Sequence, residues 1–451
     1  MPKLKFISLL LASALLAGCA ATPDRNSEEF LQQAVIYEVN LRQFGEGGFQ
    51  EVTKHLPRLS ELGVDILWLM PIHPISELNK KGELGSPYSV ANYLAVSPEY
   101  GTEEDLRELI SQAHSKNMLV ILDWVANHTG WDNPWITEHP DWYTKDYAGN
   151  ISFPPGTDWT DVADLNFDNQ DMQEAMISAM EYWVREFDVD GYRADVAHSV
   201  PVEFWNKASK RLHQIKDVFM LAEDGGNLAL LESAFDTNYA WPLKDLWNAL
   251  GSNYATATDF RRTMESTAIQ YTDGLYQMVF IDNHDENSWH GTVFDRMGDN
   301  VKNMAVLSFT VPGMPLIYSG NEFRLDRQLA FFEKDPIQLP ESADWGKSDW
   351  EVFYKKLVEL KTSNPALWTA GAGGPLVPLH EDDSPVIAFG RTYQVNDVVV
   401  LMNLSAEEQT QKLNLGEFSG PFQNFFDGSK YELKPEVTLA GNSFLILTRK
   451  Q

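Results

Sequence analysis

Three acids sit where this 451-residue chain could do chemistry: Asp195 in "GYRADVAH", Glu223 ending "VFMLAE", and Asp285 in "NHD". Arg193 stands two residues before Asp195. On a strand of period two both side chains face one way. Opposite charges inside a sheet cost several kcal/mol unless a site uses them, so the pair predicts a site. The three acids are far apart in sequence, and only a fold can unite them. Paired carboxylates are the equipment of glycoside hydrolysis. One must be ionised to attack the anomeric carbon. Another must stay protonated near neutral pH, which burial or a neighbouring carboxylate arranges. Arg193 is expected to hold Asp195 ionised and oriented as the nucleophile. Glu223 has no cation beside it in sequence and is the expected acid. Asp285 and nearby histidines are expected to hold sugar hydroxyls.

The elements that must position these groups alternate between strand and helix. Apolar strand-like runs occur at 35–44, 65–71, 118–125, 188–197, 218–223, 233–241, 275–286 and 314–322, with helical segments such as "TEEDLRELISQAHSKN" between them. Eight such units predict an α/β fold, a closed (β/α)8 TIM barrel, over 34–372. An open doubly wound sheet is disfavoured, because no Gly-rich phosphate turn follows the first strand. Polar residues gather at the strand ends, where barrel enzymes keep their sites: Asp123, Asn127 and His128; Arg193, Asp195 and His198; Glu223; and Asn283, His284 and Asp285. About 129–167 lacks clear periodicity and carries Trp131, Trp135, Trp142 and Trp159, so it reads as a short insertion after the third strand. Tryptophans in polar loops suit a flat, weakly charged ligand such as sugar. Short alternating segments over 373–451 predict a C-terminal antiparallel β-sandwich domain.

The net charge of −30 argues against nucleic acid or an anionic membrane surface as partner. Lys3 and Lys5 precede the apolar run "FISLLLASALLAG", a signal peptide over 1–18. "LAGC" resembles the bacterial lipobox, which implies a lipid anchor on Cys19. The following Ala20 favours outer-membrane sorting by the same resemblance, and 19–33 reads as a polar tether. Cys19 is the only cysteine, so the chain can form no internal disulfide.

The motifs in order resemble those of the α-amylase superfamily: "DWVANH" (123–128), "GYRADVAH" (191–198), Glu223, "NHD" (283–285), with "ADLN" (163–166), "MPIHP" and "GMPLIYSGNE". The resemblance spans nearly the whole chain beyond the signal. It implies a retaining double displacement on starch-type α-1,4-glucans or maltooligosaccharides, with Asp195 as nucleophile, Glu223 as acid/base and Asp285 stabilising the transition state. It implies that Tyr88, Asp123, His128, Arg193 and His284 surround the reacting sugar. It implies no cofactor for the chemistry. It suggests a structural Ca²⁺ at Asn127, Asp164 and the His198 carbonyl, although calcium wants six to eight oxygens. Ala197 stands where many starch-degrading members carry lysine, and Asn92 where "DY" is usual, leaving endo versus exo action open. Alternatives are an exo-acting α-glucosidase or transglycosylase on the same site, and a non-enzymatic glucan-binding lipoprotein, disfavoured because all three acids are present. A metal hydrolase on His128, His198 and His284 is disfavoured because Arg193 would sit poorly beside a cation.

Overall fold

The computed structural model describes residues 28–450, apart from 273 and 370. The signal, Cys19 and most of the expected tether lie outside the described residues. Eight parallel strands close a barrel: β1 (Ile36–Val39), β2 (Ile66–Leu69), β3 (Leu119–Trp124), β6 (Gly191–Ala194), β7 (Phe219–Ala222), β8 (Thr237–Tyr239), β9 (Gln277–Val279) and β10 (Met314–Tyr318). Each apolar run predicted from the sequence supplies one. A two-stranded ribbon, β4 (His128–Gly130) with β5 (Val162–Asp164), roots the insertion after β3. Between them lie only a short helix, Trp135–Glu138, and a single 3₁₀ turn.

Local chemistry sets the boundaries. Helix Phe49–Leu62 stops at Gly63, whose φ of 91° is the left-handed value that glycine adopts freely. Helix Glu103–Ser115 starts in a capping box between Thr102 and Asp105. Gly191 opens β6 at φ +147°, and a Cβ there would lie 1.9 Å from the Phe219 carbonyl oxygen. Only glycine lets β7 approach the strand that carries Arg193.

Period-two alternation sorts the strands. Ile36, Ile66, Trp68, Leu119, Ile121, Phe219, Leu221 and Tyr239 point inward and fill the barrel. Tyr37, Leu67, Val120, Tyr192 and Met220 point outward against the helices. The same inward rows end in Glu38, Asp123 and Arg193, with Asp123 in register beside Arg193. One correction concerns the tether: Glu28–Gln33 is a helix. Its Phe30 packs with the barrel's interior residues, and Gln32 accepts the Thr369 N–H at 2.9 Å. Apolar burial holds this turn, which the polar stretch around it concealed.

The C-terminal region is antiparallel throughout. Six strands, β11 (Val377–Pro378), β12 (Val386–Tyr393), β13 (Asn396–Asn403), β18 (Ser443–Lys450), β15 (Gly420–Asn424) and β16 (Lys430–Leu433), form one sheet in that order. The second layer is only a ribbon, β14 (Gln409–Lys412) with β17 (Glu436–Leu439). Val399 and Leu401 face the ribbon's Val437 and Leu439, while Val398, Val400 and Met402 face the barrel.

Candidate active site

Arg193 is the centre of a buried charge cluster at the C-terminal ends of the strands. It is fully buried. Its Nη1 donates to Asp123 at 2.8 Å and to Asp195 at 3.2 Å. Its Nε donates to the Tyr239 hydroxyl at 3.0 Å. Nη2 lies 2.8 Å from Glu223 Oε2, an ion pair whose angle falls outside hydrogen-bond geometry. Glu223 Oε2 also accepts the Val196 N–H at 2.7 Å. Val196 is β-branched yet left-handed, at φ 36° and ψ 48°. Such strain costs about 1–3 kcal/mol and survives only where the surroundings impose it.

This geometry corrects one expectation. Arg193 does not single out Asp195, because one guanidinium holds Asp195 and Glu223 together. Sequence adjacency hid the second contact, which arises only when β6 and β7 pair. Two carboxylates so close cannot both ionise freely. Burial, and then the charge of Glu223, push Asp195 well above the ordinary carboxylate range. The pair therefore retains a proton that an isolated carboxylate would lose.

Asp123 has no exposed surface. It accepts from the Trp68 indole at 3.2 Å, the Tyr88 hydroxyl at 3.0 Å and Arg193. It lies beneath the cleft and positions Arg193 and Tyr88. The Tyr88 ring stacks on His284, centroids 5.4 Å apart, and on Phe331 at 6.2 Å. His284 is wired on both nitrogens, Nδ1 to Glu38 at 2.6 Å and Nε2 to the Tyr88 hydroxyl at 2.7 Å. Burial alone would lower its pKa, but the charges of Asp285 and Glu38 outweigh it and hold the ring at about 9. His284 is thus an imidazolium near neutral pH. Burial pushes His128 down to about 4, so it is neutral. Asp285 sits in the first turn after the Asn283 cap, 3.4 Å from His284 Nε2.

A cleft of about 560 Å³ opens above this layer. Tyr88, His128, Asp195, Glu223, His284 and Asp285 line it together. Trp159 of the insertion and Trp289, Phe331 and Phe332 add aromatic surface to its walls. Of the four insertion tryptophans, Trp159 alone lines the cleft. Trp135 and Trp142 pack edge to face at 5.1 Å, because an insertion with so little helix builds its small core from rings. Sequence reasoning missed Glu38, Trp68 and Tyr239. Glu38 was findable, since a lone acid in "VIYEV" poses the same question as Arg193 in its strand.

His198 is exposed on the turn after β6. Asn127 adjoins the ribbon, where Asp164 pairs with His128. Burial raises Asp164. The three residues contribute a single carboxylate, and no group of three or more His, Cys, Asp or Glu side chains suited to a metal occurs among the described residues. Asn127, Asp164 and the His198 carbonyl supply fewer oxygens than the six to eight that calcium takes, and the three histidines form no such metal group.

Comparison with known proteins follows the same lines. The model of the α-amylase catalytic domain matches residues 24–359. α-Amylase 2 of Dictyoglomus thermophilum is 24% identical over 426 residues, covering 89% of this chain and 70% of that protein. The crystal structure of a maltogenic α-amylase from Thermotoga neapolitana is 27% identical, with a TM-score of 0.84 over 93% of this chain and 99% of that one. An α-amylase structure from Lactobacillus plantarum is 30% identical, with a TM-score of 0.81 over 93% and 100% of the two chains.

Proposed function

The chain belongs to the α-amylase family of glycoside hydrolases, and on that premise we propose that it hydrolyses α-1,4-glucosidic bonds in starch-type glucans or maltooligosaccharides with retention of configuration. The carrying observation is one buried guanidinium that holds two cleft-lining carboxylates, Asp195 and Glu223.

Asp195 attacks the anomeric carbon as the bond to the leaving sugar breaks. Glu223 gives its proton to the leaving oxygen. Water then attacks the glycosyl–Asp195 ester, Glu223 takes the water's proton, and the Asp195 carboxylate is released. The pair shares one proton, and positive charge developing on the sugar ring favours an ionised Asp195. That places the proton on Glu223 when the leaving oxygen needs it. Oε1 of Glu223 is available for it, since both N–H contacts fall on Oε2. Tyr88 forms a flat platform backed by the stacked His284 ring, and Asp285 holds hydroxyls of the reacting sugar. His128, neutral, donates or accepts at another hydroxyl. Asp123, Glu38 and Tyr239 position these groups and do not touch the sugar.

Release of reducing sugar from starch and maltoheptaose, with sucrose and pullulan as contrasts, tests the reading. Activity confined to sucrose would contradict it.

The N-terminal motif supports a lipid anchor on Cys19 in the bacterial envelope, with outer-membrane sorting. Diacylation plus an N-terminal acyl chain holds firmly, at about 0.8 kcal/mol per buried methylene. Among the described residues no helix is long and apolar enough to cross a membrane. Cys19→Ser should move the protein from the detergent phase to the aqueous phase. Persistent detergent partitioning would refute the anchor.

A further inference from the structure

The loop after β2 makes an excursion over 76–89. Its base is pinched where Ile75 pairs with Val90 and the Ser76 N–H meets the Ser89 carbonyl at 2.8 Å. Its tip is tied to both rims of the cleft. On one side the Leu84 N–H donates to the Phe332 carbonyl at 3.0 Å, and the Glu83 N–H to Glu333 at 2.9 Å. At Gly82, φ +65°, a Cβ would lie 2.4 Å from the Phe332 Cβ, so glycine is required for this contact. On the other side Lys81 pairs with Asp161 at 3.1 Å and donates to the Asp158 carbonyl at 3.0 Å. From below, the buried Arg42 donates to the carbonyls of Gly85 at 2.8 Å and Phe331 at 3.2 Å while pairing with Glu99. One guanidinium thus fastens both loops.

The barrel's strand order places this strap. β10, β1 and β2 are neighbours, and β7, which leads into Glu223, lies across the barrel from β1. Glu223 protonates the leaving oxygen, so the leaving part of the substrate lies on the β7 side. The strap, with Lys81, Phe331 and Phe332 lining the cleft, stands on the opposite side. The cleft of about 560 Å³ lies within the roughly 300–1,000 Å³ of small-ligand sites, and the strap spans it from one rim to the other.

We infer that the strap 76–89 closes the glycone end of the cleft, so that the enzyme works inward from non-reducing chain ends. Lys81, Gly82 and Phe332 set how many sugars fit beyond the reacting one. The substrate class is short α-1,4-glucans entered by a free end, and internal stretches of a polysaccharide are excluded by the wall. The inference rests on the proposed hydrolysis of α-1,4-glucans.

The test uses maltoheptaose with a chromophore at its reducing end. Its non-reducing end is either free or capped by a bulky acetal. The wild-type kcat/KM should fall at least about tenfold on capping. Labelled products from the free-ended substrate should shorten from the non-reducing end in uniform steps. In a full-length variant with residues 78–84 replaced by Gly-Gly, the ratio should move toward one. A wild-type ratio near one with a random product ladder overturns the strap's role while leaving α-1,4 hydrolysis standing. A folded variant with the wild-type ratio also overturns it. If the variant does not fold, the wild-type ladder decides alone. Cleavage of neither substrate overturns the hydrolytic reading and the strap's role with it.

Discussion

At the mouth of the barrel Arg193 is buried among Asp123, Asp195 and Glu223. Near the start of β10, at the opposite end, Lys361 and Arg391 are buried against carbonyl oxygens. Lys361 donates to Gly313 and Leu367, and Arg391 to Gly374 at 2.8 Å and Thr310 at 3.0 Å. The depth of burial is similar and the acceptors differ. Carbonyls do not titrate, so no acceptor in the lower cluster can take up a proton, and the cluster serves to tie the barrel to the C-terminal sheet. Carboxylates do titrate, and three around one cation leave a proton that can move. Burial of charge alone does not mark a site. A titratable acceptor facing a cleft does.

Substitutions can break that contrast at either end. The largest effect belongs to Asp195→Asn. It keeps the shape and removes the attacking oxygen's charge, so turnover should drop by at least about 10³-fold with an unchanged melting curve. Near-normal rates in a preparation free of wild-type enzyme would reassign the nucleophile.

Glu223→Gln comes next. Loss of a proton donor costs about 10²–10⁴-fold on a glucan. An aryl glycoside with a good leaving group needs little protonation, so its kcat/KM should fall far less. Equal losses on both substrates would remove Glu223 from the acid role.

Lys361→Met is the smallest in activity and sharpens the contrast from the other side. Its kcat/KM and pH profile should match wild type. The buried Gly313 carbonyl loses its Lys361 donor and Leu367 keeps only the longer bond from Arg391 at 3.4 Å, which lowers stability by about 1–3 kcal/mol. Burial, and then Arg391, hold the Lys361 pKa well below its usual value. Between that lowered value and the unfolded value of about 10.4 the unfolded chain binds the extra proton, so this residue makes stability rise with pH there. Urea melts across that window should show a flatter pH dependence in the variant. An altered pH profile of kcat/KM would mean the lower cluster takes part in catalysis.

The architecture was largely legible, because period-two runs alternating with capped helices leave few options. "DWVANH", "GYRADVAH" and "NHD" pointed to strand ends that do converge. Two kinds of feature stayed hidden. Register was one: nothing in the sequence brings Arg193 to Glu223 until β6 pairs with β7. Context was the other: one buried phenylalanine is a weak signal for the helix Glu28–Gln33, and Trp135 and Trp142 of the insertion, which suit a sugar platform by type, pack against each other. Glu38 was passed over although its position in an apolar strand carried the same signal as Arg193.

The central claim is that Asp195 attacks and Glu223 serves first as acid and then as base. Both are held by one guanidinium, and a retaining enzyme keeps its two carboxyls roughly 5–5.5 Å apart, with no room for water between nucleophile and sugar. Proton NMR of freshly started maltooligosaccharide hydrolysis, read before mutarotation, tests it directly. The mechanism predicts that the α-anomer appears first. β-Anomer appearing first would contradict it, since inversion requires a water between a base and the anomeric carbon.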